Sequence, residues 1–241
     1  MSDELISFQK ETDAMDGTVT VSGRQLANKW LKTNALRSHP AIARHIPPTS
    51  LYSSAALRRM LDLYGSVVLK PVRGTGGLGV MKASREGSRY VLRHMSGARS
   101  FPAFEGLRRA VDAKRRGRAY LIQKDVRLAT VGGRPVDYRV KVVKTAGGEW
   151  VFRSMVGRLA RKGLFVTNLC RGGTLLKAAH GIRMSLSPRL VGVKKRQMRN
   201  LTRTATSLLE SRFPGLTQLG YDYGIDRNGQ IWILEVNTRP H

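Results

Sequence analysis

Apolar side chains recur at helical spacing in four segments, residues 24–36, 53–65, 104–117 and 193–215. Serines at the start of the second segment and a glycine at its end are typical capping residues. Two prolines within residues 45–49 must end any helix that starts before them. The pattern therefore predicts four amphipathic helices.

Short runs rich in β-branched and aromatic residues predict strands between these helices. SVVLKP (66–71) and AYLIQ (119–123) have the pattern of buried strands. Residues 161–174 have no clear period and are predicted to form a loop. Three pairs of strands are predicted to form hairpins: VMKAS with RYVLRH, 137–145 with 149–160, and 219–226 with 230–237. Helices and antiparallel hairpins occur together, which predicts the α+β class.

The charge of the chain is strongly positive, with 43 Lys and Arg against 16 Asp and Glu in 241 residues, a formal +27. Such a surface attracts anionic partners. The sequence has no zinc-finger spacing and no RRM-type aromatic motif, which disfavours dedicated nucleic-acid binding.

No apolar run is long enough to span a membrane, and a single cysteine, Cys170, excludes an internal disulfide framework.

The stretch VVLKPVRGTGGLGVMK, residues 67–82, contains G-x-G-x-x-G at Gly74, Gly76 and Gly79, directly after a predicted strand. A Rossmann site is disfavoured because β-type residues, not a helix, follow the last glycine. A Walker loop would end in G-K-[ST], and a protein kinase places its lysine after the loop, whereas Lys70 comes before it. A flexible hairpin loop stays open as the alternative.

What remains is a glycine loop (residues 73–79) between two strands, with Lys70 on the entering strand. Glycines let backbone N–H groups approach phosphate oxygens without a clash from Cβ. A nearby ammonium adds charge compensation. This arrangement can clamp a nucleoside triphosphate.

The last predicted hairpin carries the acidic residues that a triphosphate site needs for its metal ion. Glu235 and Asn237 are two positions apart and therefore point to the same face of a strand. If Asp222 lies across the hairpin on that face, three oxygen ligands suited to Mg²⁺ converge. An exposed strand with ordinary polar residues is the alternative, and the apolar run before Glu235 argues against it.

These pieces, in this order, resemble the ATP-grasp superfamily and, within it, the YheC/YheD-type ATP-grasp proteins of endospore-forming bacteria. KPVRGTGGLGV resembles the family's lysine and glycine loop, and LIQ with DYRVKVV its nucleotide hinge and central sheet. TNLCRGG resembles its asparagine-glycine loop, and GYDYGIDRNGQIWILEVNTRP its metal-binding hairpin. ANKWLKTNAL followed by HIPPT resembles the segment that opens the fold. The similarity runs from about residue 24 to the end of the sequence.

The resemblance implies an α+β ATP-grasp fold in which two α+β subdomains clasp ATP between antiparallel sheets, with a shortened N-terminal segment. The implied division is a mobile leader at 1–23 and a helical segment at 24–65 that opens the fold. The subdomain with the glycine loop follows at 66–122, and the subdomain with the metal-binding hairpin at 123–241. Relatives usually carry a sizeable N-terminal domain that helps to bind the acceptor, which leaves the acceptor site open.

The resemblance also implies roles for individual residues. Lys70, with help from Lys29, contacts the phosphates, and Gln123 to Val126 line the adenine. Arg158 faces the γ-phosphate or an acyl-phosphate, with Arg139 and Asn168 as second choices near the reacting centre. For Arg139 and Lys141 a solvated basic strand is the alternative. The implied nucleotide contacts are Lys29, Lys70, Arg73, Gly74, Thr75, Gly76, Gly77, Gly79, Gln123, Lys124, Val126 and Lys141, and the implied Mg²⁺ ligands are Asp222, Glu235 and Asn237.

The implied activity is that of an ADP-forming ligase, which uses ATP and Mg²⁺ to join a carboxylate to an amine or a thiol through an acyl-phosphate. The alternative is a non-catalytic ATP- or polyanion-binding structural protein of a spore coat or cell wall. The positive charge suggests that the acceptor is anionic or polymeric. The lack of a signal peptide predicts a cytoplasmic location, to which later association with the spore can be added.

Overall fold

The computed structural model describes residues 24–74, 76–167 and 169–239, apart from the side chain of Cys170, so the predicted leader at 1–23 lies outside the described residues. Within these ranges the helices are α1 Lys29–Arg37, α2 Pro40–Ala43, α3 Ser54–Tyr64, α4 Phe104–Arg115, α5 Ala178–Ser185 and α6 Val191–Arg212. The strands are β1 Thr49–Leu51, β2 Ser66–Pro71, β3 Met81–Glu86, β4 Arg89–His94, β5 Gly97–Phe101, β6 Tyr120–Lys124, β7 Thr130–Val131, β8 Arg134–Lys144, β9 Trp150–Leu159, β10 Thr174–Lys177, β11 Gln218–Ile225 and β12 Ile231–Asn237. None of the described helices is long and apolar enough to cross a membrane.

The first sheet has the order β1-β6-β2-β3-β4-β5, and its neighbouring strands are antiparallel. Leu57 and Leu61 of α3 and Leu107 of α4 are fully buried in the core that covers one face of this sheet. Burial alternates along β2, so Leu69 lies in this core while Lys70 faces the other way. The apolar packing of α3 and α4 thereby determines which face of the sheet is left for a ligand.

The second sheet has the order β10-β9-β8-β11-β12, and β7 pairs with β8 beside it. Tyr221 and Tyr223 of β11 are fully buried under α6, where their hydroxyls lie 2.8 Å from those of Thr206 and Thr202. Because side chains alternate along a strand, Asp222 between them points to the opposite face. The buried tyrosines thus orient the acidic residue away from the core.

The three predicted hairpins are confirmed, as β3–β4, β8–β9 and β11–β12. The first predicted helix starts later than the apolar pattern indicated. It begins at Lys29 because the side chain of Asn28 accepts a hydrogen bond from the Leu31 N–H at 3.2 Å and caps it. The chain then forms the short helix α2 before the break at 45–49.

Several elements were not predicted, among them α5, β5 and β10. Strand β10 begins at Thr174, the last residue of the predicted loop 161–174, after a turn of 3₁₀ helix at Leu169–Arg171. Strand β1 lies within the segment 24–65 that was predicted to be helical, and it pairs with β6. Strand β6 in turn crosses the predicted boundary at residue 122. The division of the chain into domains stays a prediction.

Candidate nucleotide-binding site

A cleft of about 400 Å³ lies between the two sheets, within the size range of small-molecule sites. The strands β2 and β6 and the glycine loop contribute to one wall, and β8, β9, β11 and β12 contribute to the other. Most of the residues that the sequence assigned to the site line this cleft: Lys29, Lys70, Gly74, Gly76, Gly77, Gln123, Lys124, Val126, Arg139, Arg158, Asp222, Glu235 and Asn237.

Three assigned residues do not line the cleft. Arg73 is exposed, and Gly79 lines a different cavity behind the glycine loop. Lys141 lies two residue pairs further along β8 than Arg139 and is not among the residues that line the cleft. Their nucleotide contacts stay predictions. Two further assigned residues lie outside the described ones: Thr75 and Asn168.

Lys70 connects the two walls of the cleft. Its Nζ donates hydrogen bonds to Oε1 of Gln123 at 2.7 Å and to the main-chain oxygen of Leu234 at 3.1 Å. Burial lowers the pKa of Lys70, and the carboxylates of Glu235 and Asp222 partly oppose this effect. An ammonium has three N–H donors, and the hydrogen bonds of the described residues use two of them. The third donor makes no hydrogen bond among the described residues.

Lys29 links the glycine loop to the acidic side of the cleft. Its side-chain ammonium donates to the main-chain oxygen of Gly74 and lies 3.4 Å from a carboxylate oxygen of Glu235. Its backbone N–H donates to the oxygen of Val72 at 2.9 Å. The N-terminal residue of α1 therefore holds the glycine loop at its entry and at its first glycine.

Lys32, one turn further along α1, is a buried lysine that sequence analysis did not identify. Its side chain is 4% exposed and donates to the main-chain oxygen of Leu26 at 2.7 Å. Burial lowers its pKa from 10.5 to about 8, partly opposed by Glu235 and reinforced by Lys29. Between about pH 8 and 10.5 the native state therefore loses a proton from Lys32 that the unfolded chain still holds.

We expect the Lys32 contribution to the free energy of unfolding to rise with pH, since the unfolded state binds more protons between pH 8 and 10.5. The gain between about pH 8 and 9.5 should be about 1.5 kcal/mol. Urea unfolding of the wild type and of Lys32→Met across this range checks it. The difference between the two proteins isolates Lys32 from the other groups that titrate in this range. A pH-independent difference would mean that Lys32 keeps its ordinary pKa.

Gly79 ends the glycine loop in a conformation that other residues rarely adopt, with φ of +74°. Its main-chain oxygen accepts a hydrogen bond from the buried Tyr120 hydroxyl at 3.0 Å. A Cβ at this position would lie 2.7 Å from that hydroxyl oxygen and 3.1 Å from Cγ of Pro71. Tyr120 is 1% exposed and belongs to the apolar core of the first sheet.

We expect Gly79→Ala to lower the free energy of unfolding by about 2 to 4 kcal/mol, through the left-handed backbone and the steric clash together. Gly87 is the matched control, because its φ is +61° and a Cβ there would meet nothing within 4 Å. Gly87→Ala should cost only the backbone term, about 1 kcal/mol. Equal losses for the two variants in urea unfolding would show that the contact with Tyr120 is unimportant.

The acidic residues of the last hairpin converge as the sequence predicted for the β11–β12 pair. Asp222 lies directly opposite Glu235 in the antiparallel register. Nδ2 of Asn237 lies 3.4 Å from Oδ2 of Asp222. A β-bulge follows Asp222, so that the next residue, Tyr223, pairs with Ile233. Such bulges commonly re-aim a side chain next to a functional site.

A buried network of charges surrounds Asp222. Arg139 donates to both of its carboxylate oxygens, with Nη2 to Oδ2 at 3.1 Å, and Nη2 of Arg158 lies 2.9 Å from Oδ1. Arg158 also forms a two-point contact with Asp137, from Nε at 2.8 Å and from Nη2 at 2.6 Å. The two arginines are thus held in place by carboxylates on β8 and β11.

Burial and charge act in opposite directions on this network. Burial alone would raise the pKa of Asp222, but the guanidinium groups of Arg139 and Arg158 outweigh it and hold the pKa below its ordinary value. Burial alone would lower the pKa of Arg158, but Asp137 and Asp222 outweigh it and raise the pKa. Asp222 is therefore ionised and can accept from arginine or bind a cation.

Asp137 was not assigned to the site from the sequence, although it is 4% exposed and lines the cleft. Its position two residues before Arg139 gives it the same side-chain direction, which is a signal that could have identified it. Lys82 was missed as well. It forms an ion pair of 2.6 Å with Asp125 at the edge of the cleft.

The donor set at the acidic side is compatible with Mg²⁺. Two carboxylates, Asp222 and Glu235, and the amide of Asn237 offer the hard oxygen ligands that this ion prefers. Among the described residues, no group of three His, Cys, Asp or Glu side chains is arranged to hold a metal. An ion here would accordingly depend on two carboxylates, the amide and the oxygens of its ligand, which is the usual arrangement for Mg²⁺ bound with phosphates.

The described lining of the cleft carries more positive than negative charge, with eight basic and four acidic side chains. Such an excess in a partly enclosed cleft favours an anionic ligand. The basic residues are Lys29, Lys70, Lys82, Lys124, Arg127, Arg139, Arg158 and Arg227, and the acidic residues are Asp125, Asp137, Asp222 and Glu235.

Comparison with known sequences gives a family and two curated relatives. A model of the YheC/D like ATP-grasp family matches residues 18–241. The endospore coat-associated protein YheD of Bacillus subtilis (strain 168) is 28% identical over 220 residues, which cover 88% of this chain and 48% of that protein. The endospore coat-associated protein YheC of the same organism is 26% identical over 232 residues, covering 90% of this chain and 61% of that protein. The chain thus spans about half to three-fifths of these relatives.

Comparison with solved structures shows the fold. D-cycloserine synthetase DcsG superposes with a TM-score of 0.58 at 15% identity, covering 88% of this chain and 62% of that one. D-alanyl-alanine synthetase A from Vibrio cholerae O1 biovar eltor str. N16961 gives 0.54 at 12%, covering 89% and 55%. N5-carboxyaminoimidazole synthetase from Staphylococcus aureus, complexed with ADP, gives 0.53 at 10%, covering 89% and 44%. Because the family model spans nearly the whole sequence, this chain belongs to the YheC/D-like ATP-grasp family, and its α+β architecture is the ATP-grasp fold that the sequence predicted.

Proposed function

We propose that the protein is an ATP- and Mg²⁺-dependent ligase, which joins a carboxylate to an amine or a thiol and releases ADP and phosphate. The observation that carries the proposal is Lys70, a buried ammonium that shares the cleft with the paired carboxylates of Asp222 and Glu235. A buried cation beside a glycine loop suits phosphate, and the carboxylates suit the metal that accompanies it. Proteins of similar fold are synthetases, and one of them is complexed with ADP.

Each wall of the cleft contributes a separate function in this proposal. Lys70 and Lys29 bind the phosphates, and the backbone of the glycine loop covers them. Gln123, Lys124 and Val126 form the adenine side. The main-chain N–H of Lys124 is already bonded at 2.8 Å to the oxygen of Pro48, the residue before β1, so this segment is held in place before nucleotide enters.

Mg²⁺, held by Asp222, Glu235 and Asn237, would neutralise charge on the phosphates. In the reaction, an oxygen of the substrate carboxylate attacks the γ-phosphorus, and the bond to the leaving oxygen of ADP breaks. The amine or thiol then attacks the acyl carbon, phosphate leaves, and the nucleophile loses its proton. Arg158 and Arg139 would stabilise the negative charge of the transferred phosphoryl group, because Asp137 and Asp222 hold both guanidinium groups at the cleft wall. No protein nucleophile takes part.

The test measures ADP release from Mg-ATP with a panel of carboxylates combined with amines or thiols. Turnover should require both substrates and should fall by at least about 100-fold in Glu235→Gln, which keeps the shape but removes a metal-binding charge. Glu149→Gln, in the exposed turn between β8 and β9, is the matched control and should turn over like wild type. If Glu235→Gln retained full turnover, the metal assignment would be wrong.

The second candidate is a structural protein that binds ATP or a polyanion without catalysis. It is favoured by the description of both curated relatives as endospore coat-associated, and we extend that association to this chain as part of the proposal. Nucleotide binding with no ADP release for any substrate pair, together with unchanged binding in Glu235→Gln, would favour it over the ligase.

A further inference from the structure

A second cavity of about 810 Å³ lies behind the glycine loop and is called here the basic groove. Leu78 lines both the cleft and the basic groove, so the glycine loop is the wall that they share. The floor of the groove includes apolar side chains such as Met81 and Ala110. Its basic residues are Arg99, Lys114, Arg116, Arg118 and Arg171.

The basic residues of the groove lack acidic partners. No carboxylate lines the groove, and within the described parts of the chain no salt bridge involves any of its five basic residues. The neighbouring Arg115 differs, because Asp112 pairs with it. The local excess of positive charge is therefore a property of the groove and not of α4 as a whole.

The positive charges come from both halves of the fold. Lys114 lies on α4, which packs on the first sheet, and Arg171 lies between β9 and β10 of the second. Both act on the ring of His94, whose pKa is lowered by burial and then by these two charges. A ligand that bridges Lys114 and Arg171 would contact both halves of the fold next to the glycine loop.

Two residues of the groove have an unusual backbone. Met95 has φ of +56° and Arg116 has φ of +49°, and they are the non-glycine residues with positive φ in the described chain. Glycine or asparagine is favoured at such positions. Arg116 ends α4, where a glycine would be the ordinary choice, so its side chain is placed at the groove despite an unfavourable backbone conformation.

The lining indicates what kind of anion the groove would take. Single-stranded nucleic acid binds through exposed aromatic platforms, and the aromatic residue of the groove, Tyr120, is 1% exposed with its hydroxyl bonded to Gly79. An apolar floor below a cationic rim instead matches side chains that carry a carboxylate on a short aliphatic stem. We propose that the basic groove binds a carboxylate-rich polypeptide segment of the acceptor substrate, whose reacting end enters the adjoining cleft.

The acceptor assignment rests on the proposed ligase function, but binding in the groove can be measured without it. The probe is fluorescein-labelled oligo-L-glutamate, followed by anisotropy at low ionic strength without ATP. Lys114→Gln combined with Arg171→Gln should weaken binding by about tenfold, since two exposed ion pairs are lost. Arg183→Gln combined with Arg196→Gln removes the same net charge from exposed sites outside both cavities and should change affinity by less than about twofold.

Equal weakening by both double variants would overturn the proposal, because net charge alone would then explain binding. A larger effect of the groove variant on the binding of labelled single-stranded DNA than on the binding of oligo-glutamate would overturn it in favour of nucleic acid.

In ADP-release assays, the groove variant should raise KM for an acidic peptide acceptor about tenfold and leave KM for ATP unchanged. If no acceptor gives turnover while oligo-glutamate binding still depends on the groove residues, the ligase proposal fails and the groove proposal is supported. If turnover occurs only with acceptors whose KM is unchanged in the groove variant, the ligase proposal is supported and the groove proposal fails.

Discussion

Lys70→Met is expected to weaken the binding of Mg-ATP by about 30- to 150-fold, equivalent to about 2 to 3 kcal/mol for a charge-assisted hydrogen bond. Methionine matches the stem of the lysine but removes the positive charge from the cleft. The fold should survive, because the desolvation that lowers the pKa of Lys70 is relieved by the substitution. That gain offsets the loss of donors to Gln123 and Leu234. Isothermal titration with ATP, alongside urea unfolding, measures both effects.

Lys144→Met is the matched control for this experiment. Its ammonium pairs with Glu210 of α6, outside the cleft. ATP affinity in this variant should stay within about twofold of wild type, since the lost charge is distant and partly exposed. If Lys70→Met bound ATP as tightly as Lys144→Met, Lys70 would be a structural link between the sheets and not a phosphate ligand.

Asp137→Asn is expected to lower the free energy of unfolding by about 3 kcal/mol, because it leaves the buried guanidinium of Arg158 without its two-point partner. Glu86→Gln provides the comparison. Glu86 pairs with Arg93 at 2.7 Å, but both side chains are more than a third exposed, and the loss there should stay below about 1 kcal/mol. Urea unfolding distinguishes the two. A loss at Asp137 no larger than at Glu86 would mean that Arg158 is satisfied by Asp222 alone.

Asp137 is also expected to act as a positioning residue for Arg158. Asp137→Asn should lower kcat while the affinity for ATP stays close to that of wild type, because the nucleotide contacts on β2 and β6 are untouched. The combination of Asp137→Asn with Arg158→Gln should cost less stability than the sum of the single variants by at least about 1 kcal/mol. Strict additivity would show that the two side chains act independently.

The last hairpin, β11–β12, shows what a short-range sequence pattern can predict. A short turn containing Gly229 joins two β-type runs, so their pairing follows from a few neighbouring residues. Once the strands pair, the period of two places Glu235 and Asn237 on one face. The β-bulge after Asp222 then shifts the register so that Asp222 lies opposite Glu235. The glycine loop next to Lys70 is similarly local. These parts of the site were predictable because sequence separation between their members is small.

Helix α5 shows where a local pattern fails. No side chain caps its start, and Gly181 in its interior reads as a helix breaker. In the structure a Cβ at this glycine would lie 3.2 Å from the ring of Tyr138 on β8. The glycine therefore permits close packing of α5 on the second sheet. Such a reason exists only after the sheet has formed, so no local rule could have identified it.

The chain's own pattern of residues was sufficient for the α+β class, the hairpins, the glycine loop with its lysine and the acidic pair, since each depends on neighbours along the chain. The contacts that connect these pieces needed the tertiary structure. Lys70 meets Leu234 across 164 positions of sequence, and Lys29 meets Gly74 across 45. Asp137 became a partner of Arg158 through the pairing of β8 with β9. Side-chain contacts between distant segments depend on how sheets and helices bury their apolar faces, and that packing is a property of the whole fold.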